Sequence, residues 1–268
     1  ATGRGRVTRE PRGQRNRAPG LRGIGAQKSG TTSLHDLLVQ HPAIAGANKK
    51  EVHFFEWRYQ RGVAWYRAQF PYRRLAGKSI AGEASPYYLF HPLCAERIAV
   101  CFPHMKLIAV LRDPAARALS HYHHAVRHGY EDRPLSEAIY QEHEMVAAAE
   151  RKLAARPGYR SIEHRERSYV SRGLYAVQLD RYRLHFPPES LLVLSSRELF
   201  ETPAACVGKC YDFLGVDANY APPNLTPRNQ GSYSISDKEE ADVMGWLRDY
   251  YREPNARLEA EYGISFDN

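Results

Sequence analysis

Leu21-Arg22-Gly23-Ile24-Gly25-Ala26-Gln27-Lys28-Ser29-Gly30-Thr31-Thr32-Ser33 is the stretch whose reading decides the fold. Its first six residues read as a short strand, and the run Ser33–Gln40 reads as a helix closed by His41-Pro42. Between them lies a turn of glycine, lysine and hydroxyl residues. Glycines let several backbone N–H groups converge on one point, the helix start adds partial positive charge, and Lys28 with the hydroxyls adds donors. A loop of this kind suits a phosphate or a sulfate. It differs from the nucleotide-binding pattern G-x-x-x-x-G-K-[ST], because Lys28 precedes Gly30 instead of following it.

Further strands are expected at Ser79–Glu83, Lys106–Arg112 and Leu191–Ser195. The run Leu107-Ile108-Ala109-Val110-Leu111 is apolar without a break, as in a strand covered on both faces. Helical patterns lie near 114–129, 134–153, 171–186, 197–214 and 236–252, with Asp113-Pro114 as one helix start. Strands alternating with helices imply a single α/β domain with a central, mainly parallel sheet and a P-loop-like strand–loop–helix. The expected division is a basic mobile arm over residues 1–20 and one domain over 21–268.

Charge supports that division. Residues 1–23 carry seven arginines against one acid, Glu10, for a net +6, which leaves +2 of the total +8 to the rest of the 268 residues. A nearly neutral body argues against a nucleic-acid-binding domain, which would carry positive charge on the fold itself. No apolar run approaches the roughly 18 residues of a membrane span. Four cysteines are too few for a disulfide scaffold at this length. Cys206 and Cys210, one helical turn apart, read as two buried thiols.

Two stretches downstream of the loop bear on its ligand. Arg112-Asp-Pro-Ala-Ala-Arg-Ala-Leu-Ser120-His-Tyr puts a guanidinium at a strand end and a hydroxyl two turns into the next helix. A planar guanidinium fork suits phosphate. The stretch Lys49-Lys50-Glu51-Val52-His53-Phe54-Phe55-Glu56-Trp57 sets a carboxylate and an imidazole before an aromatic run expected to be a buried strand. Beside those aromatics desolvation would raise the Glu51 pKa, whereas Lys49 and Lys50 would oppose it.

The Lys28 loop together with Arg112 and Ser120 resembles the donor site of sulfotransferases that use 3′-phosphoadenosine 5′-phosphosulfate. The Glu51–Trp57 stretch is similar to that of the heparan sulfate glucosaminyl 3-O- and N-sulfotransferase branch. The resemblance implies that Lys28, Ser29, Gly30, Thr31, Thr32 and Ser33 hold the 5′-phosphosulfate, and that Arg112 and Ser120 hold the 3′-phosphate. It implies Glu51 as general base with His53 beside it and Lys28 as a catalytic cation. The reaction would be in-line transfer of a sulfuryl group to a hydroxyl, less readily to an amine, with release of 3′,5′-bisphosphoadenosine and no metal. Arg228-Asn-Gln-Gly231-Ser232 resembles the loop closing over the 3′-phosphate. Gly82-Glu83-Ala84-Ser85-Pro86-Tyr87-Tyr88 stands where that branch has E-K-T-P-x-Y, which implies Glu83, Tyr87 and Tyr88 as acceptor contacts. Ala84 replaces the lysine, which counts against an extended heparan-like acceptor; a carbohydrate or another small molecule is expected. The disulfide common near the late loop in that branch is missing, which favours a reducing, cytoplasmic setting or a bacterial enzyme. Two other readings are a P-loop kinase or NTPase, which would need Mg²⁺, and a non-catalytic polyanion-binding module that uses the arm. The histidines 121, 123, 124 and 128 and the mixed-charge stretch Arg151–Arg172 read as a helix face and a solvated surface that lines the acceptor entrance.

Overall fold

In the computed structural model, residues 20–71, 80–156, 158–226 and 238–266 are described. Five strands form one sheet in the order β2-β3-β1-β4-β5: β1 Leu21–Gly25, β2 Ile44–Gly46, β3 Ile80–Ala84, β4 Lys106–Leu111 and β5 Leu191–Ser195. Every pairing is parallel. The sheet therefore has the α/β form read from the sequence, with the short edge strand β2 added.

β4 shows why this sequence makes a covered central strand. Leu107, Ala109 and Leu111 enter one core layer with Phe54, Phe55, Tyr88 and Tyr182. Ile108 and Val110 enter the opposite layer with Leu34, Leu37, Leu38, Val207 and Tyr211. Alternate side chains of a strand leave opposite faces, so burial on both sides needs an apolar residue at each position. A third cluster joins the helices Pro114–Arg127, Leu135–Tyr140 and Lys238–Tyr262.

Several expected helices are divided. The 134–153 pattern breaks at Gln141 into Leu135–Tyr140 and Glu142–Ala155. The buried Glu142 carboxylate there accepts the backbone N–H groups of Val170 and, at 2.8 Å, Ser171. The 197–214 pattern breaks before Pro203 into Ser196–Glu201 and Pro203–Leu214, since proline is tolerated at a helix start and not in its interior. The last helix runs ten residues beyond its expected end, to Tyr262, through Pro254. Burial of Leu258 and the Tyr262 hydroxyl bonded to Asp180 at 2.7 Å hold it past the proline. The aromatic run is a π-helical turn, Phe54–Arg58, and not a strand. Gly20 is already part of the sheet: its N–H donates to Ala81 (2.9 Å) and its carbonyl accepts from Lys106 (3.1 Å). The rest of the expected arm, Ser79 of the second strand, and Arg228, Gly231 and Ser232 lie outside the described residues.

Candidate active site

A cavity of about 1110 Å³ opens at the carboxyl ends of β1 and β4, where parallel sheets bind their ligands. The loop after β1 contributes Gln27, Lys28 and Gly30, and the helix Thr31–Leu38 contributes Thr31, Thr32 and Ser33. Gly30 has φ +95°, and a Cβ there would meet the Phe200 ring at 3.0 Å, so the turn admits only glycine. Arg112 enters from the end of β4 and Ser120 from the helix that follows. That helix starts as expected: the Asp113 carboxylate accepts the Ala116 N–H at 2.7 Å, with Pro114 in the first position. The Tyr175 hydroxyl donates to the Arg112 carbonyl at 2.9 Å and fixes the point from which the guanidinium departs. Burial, with Arg127 and Arg112 as neighbouring cations, pulls Lys28 below the ordinary lysine value. Lys28 and Arg112 thus gather on one part of the cavity wall.

Glu51 lines the same cavity. Its Oε2 lies 3.3 Å from His53 Nε2 and its Oε1 accepts from Lys50 Nζ at 3.3 Å. His53 Nδ1 in turn meets the buried Glu56 at 2.6 Å, and the imidazole stacks on Trp57 at 4.5 Å. Burial works to raise the Glu51 carboxyl, but the hydrogen bonds and charges of His53 and Lys50 hold it below the ordinary value. Burial opposes a charge on His53 as well, yet its bonds to Glu51 and Glu56 raise it to about 9. Burial pushes the Glu56 carboxyl up against the pull of His53, and the imidazolium is the form that donates to Glu56 and Glu51 together.

Lys28 (φ 68°) and His53 (φ 55°) are the non-glycine residues with positive φ among those described. Left-handed backbone at a side-chain-bearing residue is costly and gathers at functional sites. Both outliers fall where the sequence had placed chemistry.

Lys50 is the site residue that sequence reading missed. Its Nζ donates to Thr32 Oγ1 at 2.6 Å as well as to Glu51, and so joins the anion loop to the carboxylate. Its place directly before Glu51 was the available signal. His124, His128, Arg165, Glu166, Arg197 and Phe266 also line the cavity. Arg197 and Phe266 come from distant segments that nothing local marks, whereas His124 and His128 belong to the helix face, and Arg165 and Glu166 to the stretch, that the sequence had set beside the acceptor entrance. Arg165 stacks over Trp57 at 3.8 Å.

Other expected contacts do not reach the cavity. Ser29 is fully buried. Glu83 is buried in the core, where its carboxylate accepts from Arg22 (2.7 Å), Ser85 (2.7 Å), Tyr88 (2.9 Å), Val52 N–H (3.0 Å) and Tyr66 (3.2 Å). Tyr88 also accepts the Phe54 N–H at 2.9 Å, and Tyr87 donates to His164 Nδ1 at 2.7 Å. None of these three residues lines the cavity; Pro86 is the member of that motif that does. In the stretch read as solvated, Arg172 is buried over Tyr87 and reaches Gln27. The histidines do not share one environment: His121 is buried against Tyr169, whereas His124 and His128 face the cavity. Among the described residues no group of three His, Cys, Asp or Glu is placed to hold a metal. None of their helices is long and apolar enough to cross a membrane.

A sequence model of the sulfotransferase domain matches residues 24–232. The human bifunctional heparan sulfate N-deacetylase/N-sulfotransferase 2 is 32% identical over 207 residues, which are 75% of this chain and 22% of that protein. The human heparan sulfate glucosamine 3-O-sulfotransferase 6 is 33% identical over 210 residues, 75% of this chain and 54% of that protein. The chain thus spans about a fifth to a half of these relatives. A sulfotransferase crystal structure from Alicyclobacillus acidocaldarius superposes with a TM-score of 0.75 at 29% identity, covering 93% of this chain and 98% of that one.

Proposed function

The chain belongs to the sulfotransferase domain family, and from that premise we propose that it transfers a sulfuryl group from 3′-phosphoadenosine 5′-phosphosulfate to a carbohydrate hydroxyl. One observation carries the reading: Lys28 with its loop, Arg112 with Ser120, and Glu51 all line one cavity. Two cationic groups on one cavity wall, Lys28 after β1 and Arg112 at the end of β4, suit a nucleotide that carries more than one anionic group, and the volume leaves room for an acceptor. The carbohydrate is supported by the relatives just named. The Arg165 guanidinium on the same cavity wall adds donors for sugar hydroxyls.

The donor supplies the sulfuryl group, and this chain's residues do the rest. The helix start at Thr31–Ser33 and Lys28 hold the 5′-phosphosulfate, and Arg112 with Ser120 hold the 3′-phosphate. An acceptor hydroxyl hydrogen-bonded to Glu51 loses its proton to that carboxylate as its oxygen bonds to sulfur. The bond from sulfur to the 5′-phosphate oxygen breaks on the opposite side, and Lys28 meets the charge gathering on that oxygen. Lys50 keeps base and loop in register, and the His53–Glu56 pair aims Glu51. As in phosphoryl transfer, most of the work is positioning and charge stabilisation, so a carboxylate of low basicity serves.

Calorimetric titration with 3′,5′-bisphosphoadenosine, followed by an acceptor screen with labelled donor, tests the assignment. Glu51→Gln should bind the bisphosphate within about twofold of wild type and lose about 10²–10⁴ in kcat. Full turnover by that variant would remove Glu51 from its role.

A further inference from the structure

His124 lies one turn beyond Ser120 on the helix Pro114–Arg127, roughly 6 Å further along its axis, and on the cavity wall. The groups that act on it are Lys28 from the loop after β1, and His128 and Arg127 at the end of its own helix; none is a carboxylate. His121 lies behind it in the core, and burial pulls that ring well below the ordinary value. His128 Nδ1 meets the His124 carbonyl at 2.8 Å, and the two imidazoles are 4.1 Å apart. A ring facing an empty cavity among cations has every reason to stay neutral: burial first, then Lys28, His128 and Arg127, lower it to about 4. A dianionic phosphate beside Lys28 reverses that field, because an anion within a few ångströms favours the charged imidazole.

We infer that His124 is a proton-accepting ligand of the donor, neutral in the open cavity and an imidazolium against the donor's anionic end. The proton comes from solvent on binding and returns to it on release. Donor and product affinity are then linked to pH through this side chain, on top of the titration of the phosphates themselves. The inference rests on the reading that the cavity takes the adenosine bisphosphate.

The test is calorimetric titration of the full chain and of His124→Gln with 3′,5′-bisphosphoadenosine, between pH 5.5 and 7.5, in buffers of different ionisation enthalpy. Wild type should take up close to one proton more than the variant. Its Kd should tighten, relative to the variant's, by up to about tenfold per pH unit as pH falls. Following the His124 ring nitrogens by NMR in wild type gives a second reading free of any substitution: saturation with bisphosphate should shift the ring to its doubly protonated signature near pH 6. Tight binding by both proteins with equal proton uptake, or a ring that stays neutral when saturated, overturns this inference and leaves the donor reading standing. Absence of binding at every pH overturns both.

Discussion

At the scale of the residue, the site is a contest between burial and paired charge, and His53 shows which wins. Glu56 at 2.6 Å and Glu51 at 3.3 Å outweigh the cost of burying its charge, and the imidazolium persists to about pH 9. Since the ordinary imidazole value is 6.5, the stability this pair supplies is complete below pH 6.5 and fades as pH rises through 9. Glu51 shifts the other way, so it stays ionised to below the ordinary carboxylate range and only strong acid silences it. We therefore expect kcat, and kcat/KM for the acceptor at saturating donor, to hold level from about pH 6 to 8 and to fall above with an apparent pKa near 9. His53→Gln, uncharged at every pH, should remove that alkaline fall and lower kcat about tenfold to hundredfold through a misdirected Glu51. An alkaline limb unchanged in His53→Gln would assign it to Lys28 instead, whose amine is also pulled down.

At the scale of the element, what the sequence disclosed and what it hid divide along sequence distance. The loop of 28–33, the covered strand β4 and the Asp113 cap were legible, because each is written in neighbouring residues or in strand alternation; the place of Glu51 near the loop came from the family resemblance alone. The edge strand Ile44–Gly46 and the helix Cys94–Cys101 were not, being short and without a distinctive period. The π-helical turn was read as a strand because a run of aromatics carries no period of its own; its bend comes from the Tyr88 hydroxyl and Arg97 taking up Phe54 and Phe55 backbone groups. Glu83 was misassigned for a related reason. A carboxylate in a motif looks available until the fold shows five donors around it. Those donors tie β3 to β1 and to the segment before His53, so Glu83 fixes the base from underneath. Among the described residues Arg22 makes no other ion pair; its remaining face rests on the Phe55 and Tyr66 rings at 4.6 and 4.7 Å. Glu83→Gln should cost about 3–5 kcal/mol by leaving a buried guanidinium uncompensated. Tyr66→Phe, which removes one of the five donors, should cost about 1 kcal/mol. Urea unfolding checks both through the midpoint at constant slope; equal small losses would mean that Glu83 packs without tying the elements together.

At the scale of the whole molecule, the charge is divided between a cavity and a terminus that serve different ends. The cavity wall is assembled from residues between Gln27 and Phe266, and Gly20, where the described residues begin, is bonded into the sheet. The +6 of residues 1–23 includes Arg22, whose guanidinium is buried on Glu83, so residues 1–19 hold six arginines against Glu10. Cations there attract any polyanion without distinction, with an attraction that salt screens over about 10 Å at 0.1 M ionic strength. The proposed donor ligands Lys28, Arg112 and Ser120 instead line a cavity inside the fold, where screening is weak. Removing residues 1–19 should accordingly leave bisphosphoadenosine affinity and turnover of a small acceptor within about twofold, while the salt needed to elute the protein from a heparin column falls. The cut must stop before Gly20, since removing it deletes bonds to both strands flanking β1. If the shortened protein kept its fold and its heparin retention but lost the bisphosphate, the terminus would belong to the donor site, and the division of charge argued from the sequence would be wrong.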